Sequence, residues 1–284
     1  MTLTRDIAHS ETNMAYKEIL TYVEARPASR AALDVAARLA DAHDAHLVAL
    51  HVIEPPVVPA DMTLGTPVAF VQWQEEYARK RADQAKQYAA EVEKSSGRSI
   101  EWREPAGELT ETALLHSRYA DLIVASQSGE GATGNLPELF VMGSGRPTLI
   151  VPHQGSFARP LERILVAWNR TREATRALHD SIPLLVAAKS VTVMEVNPKK
   201  GEDRHIAGAD IAQHLARHRV KVTVSSTVAD DMDVGDVILS RAADFGADCI
   251  VMGAYGHSRL REFAFGGATR HLLETMTVPV FMVH

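Results

Sequence analysis

Apolar residues along this chain fall into short runs of about five, alternating with longer stretches in which they recur every three or four positions. The first run, EILTYV (Glu18 to Val23), is followed by Pro27 and Ser29 and then by a helical pattern from Arg30 to Ala42. Strand, turn and helix is the parse this order predicts. After Arg163 the run ILVAW is followed by Asn169, Arg170 and Thr171, and a helical stretch is expected from Glu173 to Ala188. Further helices are predicted over Gln74 to Ser95, over Asp210 to His218 and over RHLLETM near the end.

The two halves match block by block. HLVALHVIEP (His46 to Pro55) answers SVTVMEVNP (Ser190 to Pro198), DLIVAS (Asp121 to Ser126) answers DCIVMG (Asp248 to Gly253), and PTLIVPH (Pro147 to His153) answers PVFMVH (Pro279 to His284). Offsets drift between roughly 127 and 145 residues, as one insert around Val57 to Glu76 in the first half would produce. Such a period is domain duplication rather than a solenoid. Strands alternating with helices imply a parallel sheet with crossover helices, whose ligands bind outside the carboxyl ends of the strands.

Composition narrows the function classes. A chain of 284 residues accommodates two domains of about 140. Hydrophobic content of 46% and charged content of 23% are those of a folded chain. Thirty Lys+Arg against 36 Asp+Glu leave a net charge of −6, and no basic run supports nucleic-acid binding. The polar opening segment has no signal-peptide core, and no later stretch reaches about 18 apolar residues, so the expected protein is soluble and cytoplasmic with no membrane partner. Residues 1–13 are expected to be a flexible extension, followed by domains over residues 14–154 and 160–284. The single cysteine, Cys249, lies in an apolar run and reads as a buried thiol.

The candidate chemistry follows the strand DCIVM. Gly253, two residues, Gly256, nine residues, then Gly266 and Gly267 lead through Ala268 and Thr269 into a helix. Glycines permit close backbone approach to an anion, and free N–H groups at a helix start point at it. Alone this spacing is weak, because Gly253 suits a strand end and Gly266 a helix start. In its repeated α/β context the pattern resembles the universal stress protein family, over nearly the whole chain, as two consecutive copies.

That resemblance implies two Rossmann-like α/β domains, each a parallel five-stranded sheet flanked by helices, paired through their last strands as an intrachain pseudo-dimer. It implies that ATP or another adenine nucleotide binds the second copy, with any Mg²⁺ accompanying the phosphates. The loop of nucleotide-binding members reads Gly, two residues, Gly, nine residues, Gly, then Ser or Thr. Gly267 departs from it by standing where the hydroxyl is expected, while the N–H groups of Gly267 and Ala268 remain and Thr269 can cap or reach an oxygen. The family's base-side Asp falls on Asn169 and its strand-end Val on Val196, with Met252 ending a strand near the base pocket. An amide in place of the acid still donates and accepts. His257 and Arg259 or Arg261 in the spacer are candidates for phosphate, against simple exposure.

The first half departs further, with SQSGEGATGNLPELF at the loop position, Ser126 for the first glycine and only four residues between Gly129 and Gly134. Pro137 is expected to disturb the helix start, Glu24 stands at the Asp position, and loss of nucleotide binding is expected there. His214 and His218 have metal-bridging spacing but no third ligand in view, and read as a solvated helix face. Asp230, Asp231 and Asp233 read as a solvated turn. No Gly-x-Ser-x-Gly elbow or P-loop is present, so no catalytic residue is assigned and at most slow ATP hydrolysis is expected. Two rivals stand beside the nucleotide reading: a nucleotide-free interaction scaffold for a protein partner, and an enzyme acting on adenylated substrates. Further self-association into a homo-oligomer is left open.

Overall fold

The computed structural model of the chain describes residues 15–57, 68–129, 131–198, 204–229, 232–254 and 267–284. Each short apolar run forms a buried strand, and each run of three-to-four spacing forms a helix laid on it. The first half runs β1 (Glu18–Tyr22), α1 (Pro27–His43), β2 (His46–Leu50), α2 (Val68–Ser96), β3 (Glu101–Arg103), α3 (Leu109–Ser117), β4 (Leu122–Ser126), α4 (Leu136–Gly143) and β5 (Thr148–Val151). The second half runs β6 (Arg163–Ala167), α5 (Arg172–Asp180), α6 (Ile182–Ala187), β7 (Ser190–Val196), α7 (Arg204–Arg217), β8 (Val222–Thr227), α8 (Val234–Asp244), β9 (Cys249–Gly253), α9 (Gly267–Thr275) and β10 (Val280–Val283).

The strands form one sheet in the order β3-β2-β1-β4-β5-β10-β9-β6-β7-β8. Every pairing within a half is parallel, and the halves join antiparallel through β5 and β10, with Phe281 opposite Leu149. This is the pairing of last strands that the family resemblance implies. The duplication extends to single hydrogen bonds. Asp121 Oδ2 accepts the N–H of Lys17 at 2.7 Å and Asp248 Oδ1 accepts that of Arg163 at 2.8 Å, so an acid before the fourth strand of each half fixes the start of its first.

Alternation of side chains across the sheet divides the core. Ile19, Leu47, Leu122, Leu149, Ile164, Val193, Val251 and Phe281 lie in one cluster that runs through both halves. On the opposite face the core splits, with Leu20, Val48 and Ile123 under α3 and α4, and Leu165, Ile250 and Met282 under α8 and α9. Burying each such side chain contributes roughly 1.5–3 kcal/mol. The continuous face therefore makes the two halves one hydrophobic unit.

Three local expectations are corrected. The stretch Glu173 to Ala188 is two helices, because Pro183 falls in the first turn of α6 and the chain breaks at Ser181. Pro137 does not disturb α4: it sits in that helix's first turn, where its missing N–H has no intrahelical partner to lose. The predicted insert is in part helical, since α2 begins at Val68, while residues 58–67 lie outside the described residues. Among the described residues no helix is long and apolar enough to cross a membrane.

Candidate functional site

In each half the strand order reverses beside the first strand, between β1 and β4 and again between β6 and β9. A crevice opens at such a reversal, at the carboxyl ends of the strands, and loops there supply ligand contacts. The duplication places Glu24, Arg26, Ser29 and Ser126 around the first crevice. It places Asn169, Thr171, Ala174 and Gly253 at the matching positions of the second.

The first crevice is crossed by the protein's own charges. Arg26 donates from Nε to Glu24 Oε2 at 2.7 Å, and from one terminal nitrogen to Ser126 Oγ at 2.7 Å and the Gln127 carbonyl at 2.9 Å. The other oxygen of Glu24 accepts the backbone N–H of Thr133 at 2.5 Å, in the loop aligned with the glycine loop of the second half. The Arg26 and Glu24 side chains are only 8% and 4% exposed. Gln127, next along the exit of β4, is also committed, donating to the Leu273 carbonyl at 2.6 Å and accepting from the His153 N–H at 3.0 Å. Glu24, at the position of the family's Asp, enters the crevice, and its partner Arg26 was not foreseen.

The second crevice has small or neutral groups at those places. Asn169 directly follows Trp168 at the exit of β6 and is exposed; its carbonyl oxygen accepts from Thr171 Oγ1 at 2.8 Å and Thr171 N at 3.2 Å. Thr171 in turn caps α5 by accepting the Ala174 N–H at 3.2 Å. Val196 ends β7 half-buried, and Met252 is buried in the core under α8 and α9, so Met252 packs rather than faces the crevice. Gly253 has a steric reason to be glycine. A Cβ there would stand 2.4 Å from the Ala174 nitrogen and 2.5 Å from the Glu173 carbonyl carbon, so the first turn of α5 lies directly on this backbone.

Gly256, His257, Arg259 and Gly266 lie outside the described residues, as do Arg261, Asp230 and Asp231. Gly267 and Ala268 are the first residues of α9, which places their backbone at a helix start, and Thr269 is buried in its first turn.

Several groups at this edge were not singled out from sequence. Arg170, at φ 62°, pairs with Glu195 at 3.3 Å across the exits of β6 and β7. Together with Trp168, Val224 and Ser226 they line a cavity of about 260 Å³ beside Asn169. Asn197, at φ 50°, ties the end of β7 to the strand beyond by accepting the Ala229 N–H at 2.7 Å. Glu173 is buried beside Gly253; burial pushes its carboxyl up, but its own backbone N–H, Arg172 and His284 outweigh that and hold it below the usual range. Asp233, expected in a solvated turn, instead caps α8, and His271 of α9 pairs with Asp236 at 2.7 Å, a bond that raises the imidazole above its usual value. Asp233, Asp236 and His271 bring donor atoms within 4.8 Å of one another. The Arg170–Glu195 and Asp236–His271 pairs join elements that only the fold brings together, whereas the Asp233 cap is local.

Comparison with known proteins agrees with the geometry. The sequence profile of the universal stress protein family matches residues 15–144 and again 160–284. A universal stress protein of Mycolicibacterium smegmatis is 25% identical over 290 aligned positions, covering 93% of this chain and 96% of that one. One from Synechocystis is 23% identical over 170 positions, 56% of each chain. The crystal structure of a universal stress protein from Archaeoglobus fulgidus superposes with a TM-score of 0.72 at 17% identity, covering 94% of this chain and 95% of that one.

Proposed function

Because the chain belongs to the universal stress protein family, with two copies of its domain in tandem, we propose that the C-terminal half binds ATP or a related adenine nucleotide and that the N-terminal half does not. Occupancy, rather than turnover, is the signal in a stress-response role, and no residue is assigned to hydrolysis. The observation that carries this reading is the difference between the two crevices. Glu24 and Arg26 span the first, whereas neutral Asn169, Thr171 and Gly253 hold the matching positions of the second. A carboxylate that accepts the Thr133 N–H uses a donor of the kind a phosphate oxygen needs.

In the second half the amide of Asn169 and the backbone at Val196 read the base, beside the cavity bordered by Trp168. Gly256, Gly266, Gly267, Ala268 and Thr269 hold the phosphates, with His257 and Arg259 adding charge. Any Mg²⁺ enters with the phosphates. The domain limits that suit this division are residues 14–154 and 160–284.

One observation favours the scaffold alternative. The Asn169 carbonyl is already taken by Thr171, so base recognition there is limited to its donors. Two measurements separate the readings: adenine nucleotide released when protein purified without added nucleotide is denatured, and the melting temperature with millimolar ATP. We expect a rise with ATP that Gly256→Val abolishes and Gly134→Ala leaves in place. No rise and no released nucleotide would leave a duplicated scaffold without a ligand.

A further inference from the structure

The two halves meet along β5 and β10, and a cavity of about 260 Å³ opens on that seam between the start of α4 and α9. Gln127 and His153 line it from the exits of β4 and β5, Glu138 from the first turn of α4, and Arg270 and Glu274 from α9. Its apolar floor is Pro137, Ile150 and Leu273, all buried. The crevices lie at the strand-order reversals beside β1 and β6, whereas this cavity lies beside β5.

Hydrogen bonds fix what the walls offer. Gln127, 4% exposed, donates from Nε2 to the Leu273 and Glu274 carbonyls at 2.6 and 3.3 Å, so the orientation of its amide is set. The amide oxygen accepts the His153 backbone N–H at 3.0 Å and stands 2.7 Å from His153 Nδ1, which therefore carries a proton. In the neutral ring Nε2 is left as an acceptor. Ser128 donates to the Asn135 side-chain oxygen at 2.9 Å, and Arg270 pairs with Glu274 at 3.7 Å. Glu138 Oε2 is closed to solvent and has no hydrogen-bond partner, a state that costs free energy in a carboxylate.

We propose that this cavity binds a small organic cation with N–H donors and an apolar body, a primary alkylammonium being the reference case, with the ammonium at Glu138 and the body over Pro137, Ile150 and Leu273. Acceptors outnumber donors among the uncommitted atoms: the Glu138 carboxylate and His153 Nε2 stand against the Asn135 amide. An N–H donor with positive charge makes the strong form of the bond that Glu138 lacks. Burial pushes the Glu138 carboxyl up, its own backbone N–H and Arg270 only partly offset this, and the Glu274 carboxylate adds to the rise.

The same groups disfavour other ligands. Among the described residues only Asp233, Asp236 and His271 bring three such donor atoms within 4.8 Å of one another, so Glu138, Glu274 and His153 stand too far apart to share one metal ion. An anion at the start of α4 meets Glu138, which already occupies that helix's first turn. The volume lies just under the roughly 300–1,000 Å³ of sites for drug-sized molecules, which limits the occupant to a short chain. Because α4 belongs to the first half and α9 to the second, the occupant touches both.

The test is calorimetric titration of full-length protein with n-butylammonium, butyltrimethylammonium and butanoate at constant ionic strength, alongside melting temperatures. The three probes share a tail and differ in head: charged with N–H donors, charged without them, and anionic. We expect one n-butylammonium per chain, a higher melting temperature with it, binding of butyltrimethylammonium weaker by at least about tenfold, and no response to butanoate. Glu138→Gln should abolish binding yet melt at or above the parent without probe, since it removes an uncompensated charge. Glu138→Asp, which withdraws the carboxylate by one methylene, should weaken binding, and Glu75→Gln, on exposed α2 surface, should leave it unchanged. Absence of n-butylammonium binding, an equal response to the trimethyl probe, tighter binding of butanoate, or binding that survives Glu138→Gln would overturn the assignment.

Discussion

Replacing Arg26 by methionine keeps an apolar stem of similar length and removes the charge from the first crevice. The guanidinium gives up three hydrogen bonds, to Glu24 Oε2, Ser126 Oγ and the Gln127 carbonyl, at 2.7, 2.7 and 2.9 Å. Both members of the ion pair are under a tenth exposed, so solvent screens little of the loss. Removing one partner of such a pair costs about 3–5 kcal/mol, because the other is left buried and uncompensated. Replacing both Glu24 and Arg26 by methionine removes that charge as well. What remains is mainly an unpaired Thr133 N–H, at about 1–3 kcal/mol. The double variant should therefore be more stable than Arg26→Met alone. Urea unfolding of the parent, both single variants and the double variant, followed by far-UV circular dichroism, gives the coupling energy, which should reach at least about 2 kcal/mol. A cost below about 1 kcal/mol for Arg26→Met, or additive single effects, would refute the reasoning that a buried ion pair closes this crevice.

Gly253→Ala should destabilise the protein by about 1–3 kcal/mol or more, since the new methyl meets the backbone of α5, and should lower the melting temperature equally with and without ATP; a variant as stable as its parent refutes the close approach. Hydrogen bonds from Arg103 and then His46 push the Glu101 carboxyl down to about 2 from its ordinary 4.5. A folded-state pKa below the unfolded one means that this contribution to stability is complete above the ordinary value and drains away as pH falls towards about 2. Glu101→Gln should flatten acid destabilisation in that window, and superimposable acid-unfolding curves would contradict it.

Strand positions and the duplication were legible because short apolar runs have few alternative uses. EILTYV and ILVAW each open a half, and each is buried as β1 and β6. The break in the helix after Asp180 was missed because Ile182, Leu184 and Leu185 continue the apolar spacing, and only Pro183 marks the interruption. At the site, sequence order placed Asn169 and Val196 at strand exits, where they stand. It gave Gly253 a phosphate role, and the fold adds a packing one against Ala174 that sequence did not show. Contacts such as Arg26 to Ser126, 100 residues apart, depend on β1 lying beside β4, and no local pattern encodes that adjacency.

The two crevices amount to a comparison made within one molecule. They share strand order, pairing and the acid that fixes the first strand, so differences in the scaffold cannot account for the difference in their linings. The changes at matching positions are concerted rather than scattered. Glu24 answers Asn169, Arg26 answers Thr171, Ser29 answers Ala174 and Ser126 answers Gly253. Each member of the first set bonds to another member: Arg26 holds Glu24 and Ser126, and the Ser29 and Ser126 hydroxyls stand 3.3 Å apart. A buried carboxylate is tolerated only where a cation and an N–H satisfy it, so Glu24 requires Arg26 and the Thr133 loop together. In the second set Gly253 lets α5 settle against β9, and nothing charged stands in for Arg26 at Thr171. One half thus fills these positions with an acid and its own cation, while the matching positions of the other hold Asn169, Thr171, Ala174 and Gly253, none of them charged.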